Sequence, residues 1–315
     1  MNSVAIIGAG TMGHSLAQLF AQGGHQVALH DLSEELLQQA RRLIDANLDT
    51  LGGAGLFDPS EKTAVLDERI NYTTDLKTAV ATSEFVIETI FEDQEAKKEL
   101  FSNLDRLSPP SAILASNTSY LDIYQFVATN RPGNVIITHW FAPPHIIPLV
   151  EIVPGPNTTL ETITTTKRII DSLGKQTIVL NKFVPGFIAN RLQAALSQEI
   201  YYLLDNDYAT PEDIDKATKA SFGLRIPILG PVKRLDFTGL DLIQQILRNK
   251  SYQVHPVVER SETVDAMVSQ GRLGVKAGKG FYDYGDASIG EILRERDVKL
   301  LKLKEFLVEL GELEY

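Results

Sequence analysis

The chain has 315 residues, 41 of them Asp or Glu against 30 Lys or Arg, and no cysteine. A net charge of −11 argues against a nucleic-acid or anionic-membrane surface, and the lack of cysteine excludes disulfides, thiolate nucleophiles and Cys-based metal sites. An apolar content of 43% with 23% charged residues predicts a globular protein long enough for two domains. No signal peptide or membrane span is expected, because glycines and charges interrupt every apolar run, and the cytoplasm is the default location.

Val4 to Ile7 reads as a buried parallel strand. It runs into Gly8-Ala9-Gly10-Thr11-Met12-Gly13 at the mouth of an apolar helix. In this G-x-G-x-x-G spacing Gly8 permits a tight turn, Gly10 lets a pyrophosphate approach the backbone, and Gly13 lets helix and strand pack closely. The helix N-terminus then faces the anion. The next strand, near 25–31, ends on Asp31, eighteen residues after Gly13, close to the ~20 expected of the acid that holds the ribose hydroxyls. Its alternative role is the N-cap of the following helix. Leu32 and Ser33 follow Asp31, with no Arg or Lys nearby to receive a 2′-phosphate, which favours NAD over NADP.

Residues 33–50 have helical spacing, Gly52-Gly53-Ala54-Gly55 breaks it, and a second short helix is expected over 60–68, so that a helical hairpin is inserted after the second strand. A strand at 70–73, a short helix at 75–81 and a strand at 85–89 follow. Glu92 and Lys97 come just past that strand's C-terminal end, where ligands sit in open α/β sheets; by themselves they also fit a solvated helix start. The strand at 111–116 ends in Ser116-Asn117-Thr118-Ser119, and the strand at 134–141 carries His139. The strand at 149–153 holds Glu151, the segment 160–173 is helical, and 177–181 is a last strand. This alternation predicts a doubly wound, Rossmann-like α/β sheet.

Beyond 183 the pattern becomes helical, at 187–204, 211–220, 240–250, 257–270 and 289–310. In the last of these Leu293, Leu300 and Leu307 form an apolar stripe that needs a partner, in its own chain or a second one. The expected domains are therefore 1–183 for NAD and 184–315, all-α.

Oxidising an alcohol with NAD requires a base for the hydroxyl proton, and a neutral imidazole is the usual choice. His139 stands at a strand's C-terminal end, and Glu151 in the next strand can bond its second ring nitrogen, since an acid in an apolar strand is costly to bury without a partner. The alternative for His139 is a satisfied packing residue. The other histidines, His14, His25, His30, His145 and His255, show no i, i+4 pair, and no metal site is expected. Ser119 and Asn190 can hydrogen-bond a reacting oxygen or serve as turn and cap residues. The glycine turn lacks the lysine of an NTP-binding loop.

In order and spacing, the glycine turn, Asp31, Val86-Ile87-Glu88 with Glu92 and Lys97, Ser116 to Ser119, His139, Leu149-Val150-Glu151, and Pro185-Gly186-Phe187-x-x-Asn190-Arg191 resemble the 3-hydroxyacyl-CoA dehydrogenase family. The likeness continues through Glu212 to Asp215 and Gly278 to Tyr282. It implies His139 as base, Glu151 as its orienting partner, and Ser119 and Asn190 on the reacting oxygens. It further implies NAD contacts at Asp31, Glu92, Lys97 and Asn117, and a homodimer formed by the helical domain.

Four departures stand out. His139-Trp140-Phe141-Ala142-Pro143 replaces His-Phe-Phe-Asn-Pro, removing one amide contact near the nicotinamide. The lysine-rich stretch of the hairpin gives way to Gly52 to Phe57. Phe222 to Pro231 replaces a short Pro-Met-Gly-Pro turn, and about thirty residues follow Tyr284. The last three are similar to the branch containing lambda-crystallin (an L-gulonate dehydrogenase) and carnitine dehydrogenase, which act on free hydroxy acids. Arg225 is a planar bidentate donor suited to a carboxylate, or else a surface arginine with no role.

The expected function is NAD-dependent oxidation of an L-3-hydroxyl to a 3-keto group, on a short free hydroxy acid in preference to a CoA thioester. Two other readings stand beside it. One is a catalytically silent NAD-binding protein of crystallin type. The other is a decarboxylating dehydrogenase, which would need a lysine in the helix at 187–204, and none is there.

Overall fold

The computed structural model describes residues 3–249 and 256–313. The chain divides between Asn190 and Arg191 into two compact units.

The first unit is built on one eight-stranded sheet. Its strands are β1 (Ser3–Ile7), β2 (Gln26–His30), β3 (Ile70–Thr73), β4 (Phe85–Glu88), β5 (Ile113–Ser116), β6 (Val135–Trp140), β7 (Leu149–Pro154) and β8 (Gln176–Val179), in the order β3-β2-β1-β4-β5-β6-β7-β8. Its helices are α1 (Gly13–Gln22), α2 (Glu34–Gly53), α3 (Leu76–Val80), α4 (Gln94–Leu107) and α5 (Leu160–Asp171). The sequence order reverses between β1 and β4, the switch point at which such sheets bind nucleotides.

Alternation along each strand fills a core on both faces. Val4 and Ile6 of β1 pack with Leu16, Phe20, Leu37 and Ile169 on one side, while Ala5 and Ile7 pack with Val80, Phe101 and Leu104 on the other. Both sets are shut off from water, as expected of a parallel sheet covered by helices on each face. The departure is at β7, which runs antiparallel to β6. Only residues 141–148 join these two strands, too few for the dozen or so of a parallel crossover.

The second helix of the inserted hairpin, expected at 60–68, is helical throughout, a 3₁₀ turn (Pro59–Glu61) passing through residues 62–63 into a π turn (Ala64–Glu68). Asp58 caps the first with a bond from Ser60 N–H, and Pro59 stands in the first turn, where its missing N–H costs nothing.

The second unit holds most of α6 (Ala189–Asp205), then α7 (Pro211–Ala220), α8 (Phe222–Thr238), α9 (Leu240–Asn249), α10 (Glu262–Ser269) and α11 (Ile289–Glu309). Three sequence expectations change. Helix α6 begins at Ala189 rather than at 187, because Gly186 and Phe187 have left-handed backbones (φ 77° and 51°). The stretch from Phe222, for which no helix is expected, is helical but broken at Gly230 (φ 68°, ψ 163°), with Pro227 and Pro231 on either side; those residues hide it from a periodicity reading. Helix α10 starts at Glu262 rather than near 257, where Ser261 caps it and Asp205 accepts from Ser261 Oγ at 2.7 Å and Thr263 N at 2.9 Å. The end of the helix expected to reach Lys250, and His255, lie outside the described residues.

Candidate active site

The glycine turn takes the shape that its spacing requires. Gly8 has φ 106° and donates to His30 O at 2.8 Å, and a Cβ there would meet Thr89 O at 2.8 Å. A Cβ on Gly13 would meet Gly8 O at 1.7 Å, whereas one on Gly10 would have nothing within 4 Å. Two glycines are therefore demanded by the protein's own packing. Gly10 is not: its open face, beside the orphan N–H groups of a helix N-terminus, fits an approaching pyrophosphate.

Asp31 is not a helix cap. Ser33 caps α2, with Ser33 Oγ accepting from Leu36 N–H, and Asp31 Oδ2 accepts from Ala9 N–H at 2.7 Å. Thr11 is exposed and Met12 half-buried in the same turn. The carboxylate thus stands at the C-terminal end of β2 beside the turn, where it fits the ribose of a dinucleotide.

His139 and Glu151 are direct cross-strand partners in the antiparallel β6–β7 pair. Such partners point to the same face with their Cβ atoms close. His139 Nδ1 donates to Glu151 Oε2 at 2.7 Å, with His139 3% exposed and Glu151 fully buried. The other carboxylate oxygen accepts from Ile188 N–H at 2.9 Å and Ala189 N–H at 3.0 Å at the start of α6. Burial alone pushes the Glu151 pKa up; the bonds from His139 and from these two N–H groups overcome it and hold the carboxyl below its ordinary value. With Nδ1–H committed to Glu151, the Nε2 lone pair is left as the proton acceptor. Asn190 Nδ2 lies 3.5 Å from it.

Phe187 is fully buried with its ring centroid 5.1 Å from that of His139, and Phe141 packs edge-on at 4.5 Å. The sequence pattern makes Phe187 the first residue of a helix. Its left-handed backbone is rare for a bulky residue, and it turns the next two N–H groups onto Glu151. A Pro-Gly immediately ahead of an apolar helix is the available signal.

The loop after β5 is held from two sides. Asn117 Oδ1 accepts from Trp140 N–H at 2.9 Å, tying it to β6. Glu92 Oε1 accepts from Thr118 Oγ1 at 2.5 Å and from Ser119 N–H at 2.7 Å. Burial raises the Glu92 pKa, but Thr118, Lys97 and Ser119 together bring it below the ordinary value. Lys97 is not the solvated helix-start residue that its sequence position allows: it is 1% exposed and its ammonium lies 2.6 Å from Glu88 and 3.1 Å from Glu92. Glu88 figures in the sequence only as part of a motif, with no signal that it is the buried partner. Ser119 is half-buried in this loop, and Arg225 is exposed on α8 of the second unit. Among the described residues no cluster of three His, Asp or Glu is placed to hold a metal ion, and no helix is long and apolar enough to cross a membrane.

The chain belongs to the 3-hydroxyacyl-CoA dehydrogenase family: the family's NAD binding domain matches residues 3–183 and its C-terminal domain residues 186–284. It is an NAD-dependent dehydrogenase acting on a CH–OH group. Among curated relatives it is 30% identical over 315 residues to the 5-formyl-3-hydroxy-2-methylpyridine 4-carboxylate 5-dehydrogenase of Mesorhizobium japonicum, covering 98% of both chains. It is 35% identical to a probable 3-hydroxybutyryl-CoA dehydrogenase of Deinococcus radiodurans, over 89% of this chain and 99% of that one. Among solved structures, a 5-formyl-3-hydroxy-2-methylpyridine 4-carboxylic acid 5-dehydrogenase, described as an NAD+ dependent dismutase, superposes with a TM-score of 0.87 at 29% identity, over 98% of each chain.

Proposed function

We propose that this enzyme oxidises the hydroxyl of a small free carboxylic acid, a short 3-hydroxy acid in the first instance, with His139 as general base and Glu151 as its orienting partner. The observation that carries the reading is the 2.7 Å His139–Glu151 bond, closed from behind by the N-terminus of α6. His139 Nε2 takes the hydroxyl proton as the carbon gives up its hydride, and the ionised Glu151 stabilises the imidazolium that results. The Asn190 amide and the Ser119 hydroxyl donate to the oxygen that becomes a carbonyl. NAD, when bound, supplies the hydride acceptor; Asp31, the glycine turn from Gly8 to Gly13, Glu92, Lys97 and Asn117 would hold it.

The preference for a free acid over a CoA thioester rests on charge. From Glu34 to Arg69 the inserted hairpin has eight acidic residues against four basic ones. Three of those four are already paired: Arg41 with Asp67 at 2.5 Å, Lys62 with Asp45 and Asp49 at 2.8 and 2.6 Å, and Arg69 with Glu61 at 2.8 Å. A polyanionic CoA nucleotide would meet a surface of its own sign. The near full-length likeness to a pyridine carboxylate dehydrogenase supports the same choice. Arg225 is assigned to the substrate carboxylate.

Exposed Leu240, Leu242, Ile246 and Leu247 on α9 support a homodimer formed by the helical unit. An NAD-reduction screen over paired free 3-hydroxy acids and their CoA thioesters tests the substrate class. Turnover on free acids is expected, and activity confined to 3-hydroxybutyryl-CoA would reverse it.

A further inference from the structure

We propose that Ser15 and His145 couple the nucleotide turn to the general base through the loop between β6 and β7, which makes them positioning residues for His139. The inference deepens the functional reading above and rests on it for the role of His139.

Residues 141–148 link the two strands that carry His139 and Glu151. Three of these eight residues, Pro143, Pro144 and Pro148, have no N–H to give, so the loop draws donors from outside itself. Pro143 O accepts from the N–H groups of Ile146 and Ile147, both at 3.0 Å. Pro144 O and Ile147 O instead accept from the ammonium of Lys175, the second at 3.0 Å, and Pro148 O accepts from Gln176 N–H at 2.9 Å. Lys175 is only 6% exposed, just ahead of β8. Burying an ammonium is costly; this one fixes the far side of the loop.

The near side is tied to α1. Gly10 O can only accept, so His14 Nδ1 donates to it at 2.8 Å. Burial pushes the His14 pKa down, leaving its Nε2 as an acceptor 3.2 Å from Ser15 Oγ. Ser15 gives its one hydroxyl proton to His14 and accepts from His145 Nδ1 at 3.1 Å. Both His14 and Ser15 are buried. At the start of the same loop Phe141 packs edge-on against the His139 ring at 4.5 Å. Three hydrogen bonds and one short loop thus join the turn that fits a pyrophosphate to the imidazole that takes the proton. Order imposed on Gly10 by a bound cofactor passes to the loop, which keeps base and hydride acceptor at a fixed spacing.

The test uses the full-length protein with saturating NADH as probe, occupancy being checked by its fluorescence. Hydrogen–deuterium exchange is read at the amides of Ile146 and Ile147 and requires no knowledge of the substrate. In wild type NADH is expected to slow both about fivefold, the size of one neutral hydrogen bond. Ser15→Ala and His145→Phe should each abolish that response, and the two combined should do no more, because the groups act in series. Lys175→Met should speed exchange about tenfold or more without NADH, as befits a lost charge-assisted hydrogen bond.

On the substrate that the screen selects, Ser15→Ala should lower kcat about tenfold, a typical cost of misplacement. Added to His139→Gln it should change turnover little, since it acts through that side chain. A wild-type loop indifferent to NADH, or a full response in Ser15→Ala or His145→Phe, overturns the proposal. So does an undiminished effect of Ser15→Ala in the His139→Gln background, which marks a general effect on the fold. Unchanged exchange in Lys175→Met overturns it as well, because a loop loose on its far side cannot carry order to His139. A failed substrate screen, or undiminished turnover in His139→Gln, counts against the functional reading and leaves the exchange result standing.

Discussion

Glu151 stands between an imidazole and a helix: one oxygen accepts from Nδ1 of His139 at 2.7 Å and the other accepts from the N–H groups of Ile188 and Ala189. The carboxylate is thereby fixed in position and in charge, and it fixes the tautomer of the imidazole. His139→Gln removes the proton acceptor but keeps a polar side chain. Turnover is expected to fall by about 10² to 10⁴, the usual contribution of general-base catalysis, while the Kd for NADH measured by fluorescence stays near wild type. Near-normal turnover would take His139 out of the role.

The same bonds predict a pH dependence of stability. The Glu151 pKa is held below its ordinary value of 4.5, so the folded state favours the ionised form more than the unfolded chain does. The resulting stabilisation is fully present above about pH 4.5 and is lost as the pH falls through the lower, folded value. Glu151→Gln should be less stable than wild type at neutral pH, and the gap should narrow only below about pH 4.5. Denaturant midpoints of both proteins across that range provide the measurement; a gap that closes at higher pH would contradict it.

Two of the turn glycines, Gly10 and Gly13, should separate on mutation. A Cβ at Gly13 collides with Gly8 O, whereas one at Gly10 meets nothing. Gly13→Ala should lose about 1 to 3 kcal/mol, as overpacked sites do. Gly10→Ala should keep its melting temperature and lose NADH affinity, because only the incoming pyrophosphate meets the added methyl. Equal stability losses in the two variants would show that Gly10 serves packing after all.

Arg225 is exposed on α8, so its replacement by Met should leave stability within about 0.5 kcal/mol, as for most surface sites. If it binds the substrate carboxylate, the KM for free acids should rise about tenfold or more with kcat little changed. An unaltered KM would return it to the class of surface arginines.

Much of the fold is legible in the sequence because its signals are local. Buried strands such as Val4 to Ile7 and Phe85 to Glu88 announce themselves as short apolar runs, and their alternation with amphipathic helices dictates a doubly wound sheet. The His139–Glu151 pairing is also readable, since an acid in an apolar strand demands a partner. Less legible are features whose cause lies far along the chain. Nothing near Lys97 shows that its ammonium will be buried against Glu88. The two prolines and Gly230 in α8 mask a helix whose periodicity is interrupted. The left-handed Phe187 obeys a tertiary demand, the supply of two N–H groups to Glu151, which overrides its own preference.

The antiparallel turn between β6 and β7 has one more consequence. Only twelve positions along the chain separate His139 from Glu151, so their meeting costs little loop-closure entropy. The nucleotide cradle is different, for it is assembled from β1, β2 and β4, segments drawn from distant parts of the sequence. Partial loosening of the sheet should therefore scatter the cofactor platform before it separates His139 from Glu151.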